Sequence, residues 1–244
     1  MISATYPSLR DRTVFITGGA TGIGEELVRA FAAQHARVHF IDIDHAAGTQ
    51  LAATVGARFD CVDVTDTARL KTAILAAGPV NVLINNVGDD TRHDPLAVTE
   101  QSWRQCLAVN LDPVFFAAQT VIPMMQAAGG GAIINFSSIN ALIGPSQMPG
   151  YVTAKAGLLG MTKALARQYG ADRIRVNALL PGWVVTDRQL DQWLTPEAES
   201  AWSELIAIKE RILPSHVASL ALFLAADDSC MITGQQFIID AGRV

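Results

Sequence analysis

Cysteine, positive charge and long apolar runs are all scarce in this chain, and each shortage removes a class of protein. Its three cysteines, Cys61, Cys106 and Cys230, lie far apart and form no CxxC pair. That spacing excludes a disulfide framework and a zinc site, and three buried thiols are what a reducing cytoplasm permits. No metal is expected, because His35, His39, His45, His93 and His216 form no ligand-spaced cluster. Eighteen Lys and Arg stand against 23 Asp and Glu, a net charge of -5 with no basic stripe, so nucleic acid is not an expected partner. The first dozen residues contain Pro7, Arg10, Asp11 and Arg12 and lack the apolar core of a secretory leader. Later apolar stretches, such as Val217 to Ala226, fall short of the ~20 residues that cross a bilayer, so no membrane partner is expected. No Pro-, Gly- or Ser-rich linker divides the chain and no internal repeat is visible. Disorder is excluded as well, since half of the 244 residues are hydrophobic. A single globular domain over residues 1–244 in the cytoplasm is the expectation.

What is present is a rhythm. Short β-branched runs alternate with longer Ala- and Leu-rich segments. Strands are expected at Thr13–Thr17, Val38–Ile43, Arg58–Val62, Asn81–Asn85, Ala132–Phe136, Ile174–Leu179 and Gln236–Asp240, with helical segments between them. The first helix places Ile23, Leu27, Ala30, Phe31 and Gln34 at helical spacing. The longest runs from Ser102 to Ala127, with Pro113 expected to kink it and Pro123 to end it. Alternating β and α elements with nearly continuous apolar strands imply an α/β fold, a doubly wound seven-stranded parallel sheet of Rossmann type. Ligands are then expected beyond the carboxyl ends of the strands, where the winding reverses. Residues 186–213 break the rhythm with Trp193, Trp202, Pro196 and several charges, and read as a late insertion on the substrate side.

Directly after the first strand comes Thr17-Gly18-Gly19-Ala20-Thr21-Gly22-Ile23-Gly24. Glycines at 18, 22 and 24 permit a tight turn and a close approach of backbone to ligand. The helix that follows offers free N–H groups to a pyrophosphate, so the segment reads as a dinucleotide loop. Asp42 ends the second strand, where a carboxylate accepts hydrogen bonds from the adenosine ribose and repels a 2′-phosphate. Neither Ile43 nor Thr21 supplies a cation for that phosphate. NAD is therefore expected rather than NADP, although Asp44 could compete for the role.

Tyr151 and Lys155 are one helical turn apart after Pro149-Gly150, so both side chains leave one face. Ser138 stands 13 residues before Tyr151 at the end of the fifth strand, and Asn110 lies in the long preceding helix. These residues, with Asn85-Asn86-Val87-Gly88 and Pro181-Gly182, resemble the short-chain dehydrogenase/reductase family in its ~250-residue oxidoreductase branch. The likeness spans the chain in order. It departs from the usual pattern at Val87, where Ala is common, and at Asp240-Ala241-Gly242, where a Gly pair is common.

The resemblance implies a nicotinamide cofactor, dimers or tetramers built from two long central helices, and roles for matching positions. Gly18, Thr21, Gly22, Ile23 and Gly24 would hold the pyrophosphate. Asp42, Asn86 and Gly88 would flank the adenosine ribose, Asp63 and Val64 the adenine, and Pro181, Gly182, Val184 and Thr186 the nicotinamide. Asn110, Ser138, Tyr151 and Lys155 would be catalytic. A tyrosine has an ordinary pKa of ~10, and a neighbouring cation favours its phenolate as general base. Ser138 would fix the substrate oxygen, Lys155 would also hold the nicotinamide ribose, and Asn110 would orient a water toward Lys155.

The loops around this site are polar: Asp89-Asp90-Thr91-Arg92-His93, then Asn140 and Gln147, then Thr186-Asp187-Arg188-Gln189 with Trp183 and Trp193 nearby. Asp90, Arg92, Ser138, Asn140, Gln147, Tyr151, Trp183, Arg188 and Gln189 are the candidate substrate residues, and amides, charges and a Trp face suit a polyhydroxylated ring. The head Tyr6-Pro7-Ser8-Leu9, the Asn85–His93 run and Pro181 to Thr186 with Thr195-Pro196-Glu197 are similar to bacterial aldose 1-dehydrogenases. Those enzymes oxidise xylose, arabinose, fucose or galactose to lactones. The alternatives are a reductase of 3-oxoacyl or other keto substrates and, outside enzymes, a non-catalytic NAD sensor.

Overall fold

A computed structural model describes residues 4–193 and 195–244, without the side chain of Gln192. Seven strands, β1 (Thr13–Thr17), β2 (Arg37–Asp42), β3 (Arg58–Cys61), β4 (Val82–Asn85), β5 (Gly131–Phe136), β6 (Ile174–Pro181) and β7 (Gln236–Ile239), pair in parallel in the order β3-β2-β1-β4-β5-β6-β7. Between them run α1 (Gly22–Ala33), α2 (His45–Val55), α3 (Thr67–Ala76), α4 (Glu100–Asn110), α5 (Asp112–Ala127), α6 (Asn140–Ile143), α7 (Pro149–Tyr169), α8 (Asp187–Gln192), α9 (Pro196–Leu205) and α10 (Pro214–Ala225). The winding reverses between β1 and β4, which pair with Ile16 opposite Ile84 and Thr17 opposite Asn85. The expected strands all form, with ends that move by one or two residues.

Strand alternation divides the apolar residues between two cores. Val14, Ile16, Val82, Ile84 and Ile134 face α1 and α10, where Leu27, Phe31, Val217 and Leu222 complete one layer. Phe15, Leu83 and Ile133 face the opposite side, against Leu70 and Ile74 of α3 and Val121 and Met125 of α5. Because both faces are covered, the strands read as continuous apolar runs. Buried Arg175 anchors the far end of α10, donating to the carbonyls of Leu224 (2.6 Å), Ala225 (3.2 Å) and Ala226 (3.1 Å). A cation there satisfies carbonyls that the helix end leaves open.

Four expectations need correction. The long helix is two helices, because Leu111 leaves helical geometry at φ -129° and Pro113 starts α5. Pro123 does not end α5; its ring is exposed, and Gly129 and Gly130 at positive φ end the helix instead. The stretch Glu100–Ala127 does have the length and composition of a membrane span. Scattered Gln, Asn and Asp hid this in the sequence. Here Val114, Ala117, Val121 and Met125 are buried against the sheet. Finally, the three thiols are not buried: Cys61 and Cys106 are half-buried and Cys230 is exposed, the first lying on the edge strand and the last in a turn.

Candidate active site

Gly18 and Gly22 adopt φ +67° and +59°, a region L side chains rarely enter. A Cβ on Gly24 would collide with the Gly18 carbonyl, and one on Gly22 would press on the Thr186 methyl at 3.2 Å. Asn86 braces the same turn, its Nδ2 donating to the carbonyls of Gly18 (2.8 Å) and Thr17 (3.2 Å). Thr21, the N-cap of α1, makes no side-chain bond to the helix, whereas Asp44 and Asp66 cap α2 and α3. The first-turn N–H groups around Ile23 thus open onto a cradle that an added methyl would fill. This cradle fits a pyrophosphate.

Half-buried Asp42 closes β2, accepting the Ala20 N–H at 2.9 Å and the Asp44 N–H at 3.0 Å. Its carboxylate therefore ties the glycine turn to the end of β2. Asp44 lies beyond the end of β2 and accepts the Ala47 N–H as the N-cap of α2. Exposed Asp63 forms a local turn with Thr65, and neighbouring Val64 is buried. Across the cleft Pro181 ends β6, and a Cβ on Gly182 would meet Asp240 at 2.9 Å. Val184 is buried in a bridge to Ile212, and Thr186 caps α8.

The catalytic candidates converge at the ends of β4 and β5. Ser138 follows β5, Tyr151 and Lys155 lie on the first turns of α7, and all three are buried. The Lys155 Nζ donates to the carbonyls of Phe136 (2.9 Å) and Val87 (3.3 Å) and stands 5.6 Å from the Tyr151 ring centre. Gly88 packs closely here, since a Cβ would lie 3.1 Å from that Nζ and press on it. Burial lowers the Lys155 pKa to about 8, with Asp90 opposing the shift. Burial also pushes the Tyr151 hydroxyl above its ordinary value, the charge of Asp90 adds to this, and the Ser138 hydrogen bond and Arg188 oppose it. The chain's own groups therefore raise the Tyr151 pKa where a depression was expected, because desolvation outweighs the charge of Arg188.

Asn110 is buried and fully engaged. Its Oδ1 accepts the Asp89 N–H (2.9 Å), and its Nδ2 donates to the carbonyls of Asp89 (3.1 Å) and Cys106 (3.0 Å). The side chain clamps the β4–α4 loop at Asp89. Beside it, the Val114 N–H, which an unbroken helix gives to the Asn110 carbonyl, turns to Leu111 instead.

The polar loops meet, but largely on one another. Arg188 straddles Asp89 (3.2 Å) and Asp90 (3.1 Å). Gln189 donates to Asp90 (3.4 Å) and accepts from the Trp183 Nε1 (2.6 Å). The Arg92 guanidinium lies 4.2 Å from the centre of the Trp193 ring. Half-buried Asn140 shares the Ser138 turn, its N–H donating to the Ser138 Oγ at 3.1 Å. Gln147 stays exposed at φ +63°, its carbonyl accepting the His93 N–H at 2.8 Å. Two features escaped the sequence. Ser137 Oγ donates to the Lys155 carbonyl (2.7 Å), and Asn85, Asn135 and Thr162 form a buried relay from β4 through β5 to α7 (2.9 and 3.0 Å). Adjacent serines at the end of a buried strand were the available signal.

The glycine cradle, the strand-end serine and the buried Tyr/Lys pair define a dinucleotide-dependent oxidoreductase. A family model described as enoyl-(acyl carrier protein) reductase matches residues 18–243. The chain belongs to the short-chain dehydrogenase/reductase family, whose dehydrogenases act on CH–OH groups with a nicotinamide cofactor. It is 44% identical over 250 residues to the probable galactose dehydrogenase of Rhizobium meliloti, covering 98% of each. Over 99% of each chain it is 43% identical to the D-xylose 1-dehydrogenase of Caulobacter vibrioides. Among solved structures, the 3-oxoacyl-[acyl-carrier protein] reductase of Brucella melitensis superposes with TM-score 0.91 at 29% identity, over 97% of this chain and 92% of that one.

Proposed function

We propose that this protein oxidises an aldose at C1 to the lactone, passing hydride to NAD, and that the buried Ser138–Tyr151–Lys155 cluster carries the chemistry. The observation that bears most weight is full-length likeness to two sugar dehydrogenases, combined with a polar rather than apolar roof over the catalytic end. When bound, an oxidised nicotinamide would supply the hydride acceptor and a positive charge that favours the phenolate. Tyr151 takes the proton from the C1 hydroxyl, and Ser138 holds the same oxygen in line. Lys155 keeps its cation 5.6 Å from the Tyr151 ring centre and would hold the nicotinamide ribose. Asn110 contributes by holding the β4–α4 loop at Asp89 through its amide.

Asp42 supports NAD over NADP, with no cation at Thr21 or Ile43 to meet a 2′-phosphate. Gly18, Gly22, Ile23, Gly24, Asp63, Val64, Asn86, Gly88, Pro181, Gly182, Val184 and Thr186 form the rest of the cofactor cleft in this reading. Exposed Phe115 and Phe116 on α5 support a homo-oligomer, dimer or tetramer, through the central helices. A single-domain, cytoplasmic enzyme accords with one continuous sheet and three free thiols. A 3-oxoacyl reductase is the second reading, drawn from the family model and the Brucella melitensis structure, yet Asp89, Asp90, Arg188 and Gln189 offer an acyl chain no apolar channel. Incubation with NAD and a panel of aldoses, 3-hydroxyacyl thioesters and alcohols, followed at 340 nm, tests the proposal. NADH should form fastest with an aldose, and a thioester or alcohol ahead of every aldose would overturn it.

A further inference from the structure

The β4–α4 loop arches over the catalytic end. At its start Gly88 lies against the Lys155 Nζ and the Asp89 N–H is held by Asn110. Midway along it the His93 N–H is held by the carbonyl of Gln147, four residues before Tyr151. From the other side α8 leans on the same loop. Arg188 joins Asp89 and Asp90, Gln189 joins Asp90 and Trp183, and Arg92 stacks on Trp193. Most polar groups that a sequence reading offers to a sugar are therefore already used to close this roof.

Two polar atoms in the same roof are not. His93 Nε2 and Trp193 Nε1 are both buried with no hydrogen-bond partner among the described residues, each on a residue held in place through other atoms. A buried polar atom without a partner is costly; His39 Nδ1 and Arg243 Nε are two more among the described residues, but neither lies on this loop or on α8. An indole N–H is a donor only, while an imidazole nitrogen donates or accepts according to its tautomer. Together they match the hydroxyls of a polyol ring, whose oxygens do both.

We propose that His93 Nε2 and Trp193 Nε1 are the specificity-determining pair of the substrate pocket, each bonded to a ring hydroxyl of the aldose. The networked Asp90, Arg188 and Gln189 shape the roof without carrying the main recognition. This rests on the aldose reading above.

The test uses Trp193→Phe, which keeps an aromatic ring for Arg92 to stack on while removing the N–H together with the second ring of the indole, and His93→Leu, which removes the imidazole nitrogens. Each variant is assayed with the best aldose, its epimers and its mono-deoxy analogues, with NADH binding measured separately. Each should lower kcat/KM for the best aldose by about tenfold to a hundredfold, mainly through KM. Each should also show almost no loss against the one deoxy analogue that lacks its partner hydroxyl, with NADH binding unchanged. If the parent oxidises aldoses but both variants keep its kcat/KM and epimer ranking within about twofold, the pair is wrong and the aldose reading stands. If the losses are equal for every deoxy analogue, the residues are only structural and the pair is again wrong. If the parent oxidises no aldose, both the pair and the aldose reading fall.

Discussion

Around the glycine-rich turn after β1, nearly everything offered to a ligand is main chain: N–H groups at an uncapped helix start, and space left by missing Cβ atoms. Across the cleft, between the β4–α4 loop and α8, nearly everything is side chain: Arg188 on two carboxylates, Gln189 between Asp90 and Trp183, Arg92 on Trp193. The first region depends on backbone shape, so few substitutions are tolerated. The second depends on pairings that can be exchanged while the frame stays intact. Such a division lets one fold keep its cofactor and change its substrate.

The catalytic end, which both regions share, should be the most sensitive. Tyr151→Phe keeps the ring and removes the proton acceptor, so kcat should fall by about 10²–10⁴ while NADH affinity holds, measured by steady-state rates and fluorescence titration. Gly24→Ala comes next. Its methyl meets the Gly18 carbonyl, and overpacking of about 1–3 kcal/mol should weaken NADH binding roughly tenfold to a hundredfold. Parental NADH affinity in the Gly24→Ala variant would break the claim that backbone shape rules this side. Asp42→Ala should cut the preference for NAD over NADP by about tenfold or more, seen in the ratio of kcat/KM values, because its charge no longer repels the 2′-phosphate.

On the substrate side Arg188→Gln should cost only a few-fold in sugar KM, the scale of a half-exposed ion pair, and nothing in NADH binding. The smallest effect lies far from the cleft. His39 is buried beside Asp60 (2.8 Å), and burial holds its pKa below the ordinary 6.5. The fold therefore favours the neutral ring. Its contribution is complete above 6.5 and is lost as pH falls through the depressed folded value. Below pH 6.5 the parent should lose stability with a steeper slope than His39→Gln, by no more than about 1.4 kcal/mol per pH unit, read from denaturant unfolding at several pH values.

The same division explains what was legible in the chain itself. Periodicity exposed the sheet, because strands buried on both faces leave unbroken apolar runs, and local spacing exposed the glycine turn and the Tyr/Lys pair. Roles that depend on distant partners were hidden. Nothing local to Asn110 says that its amide clamps Asp89, nor does anything near Asp90 point to Arg188, far along the chain. Pro123 misled because a proline inside a helix can bend it without ending it, and α5 runs on to Ala127. Tyr151 misled for another reason: residue type predicts its charged neighbours but not the desolvation that outweighs them.

The claim on which the comparison rests is that the polar roof presents C1 of an aldose to Tyr151. Incubating the enzyme with NAD and an aldose deuterated at C1, then weighing the reduced cofactor by mass spectrometry, tests it most directly. The account predicts NADH heavier by about one mass unit, with a lactone as co-product. Unlabelled NADH formed from the same sugar would place oxidation at another carbon and contradict it.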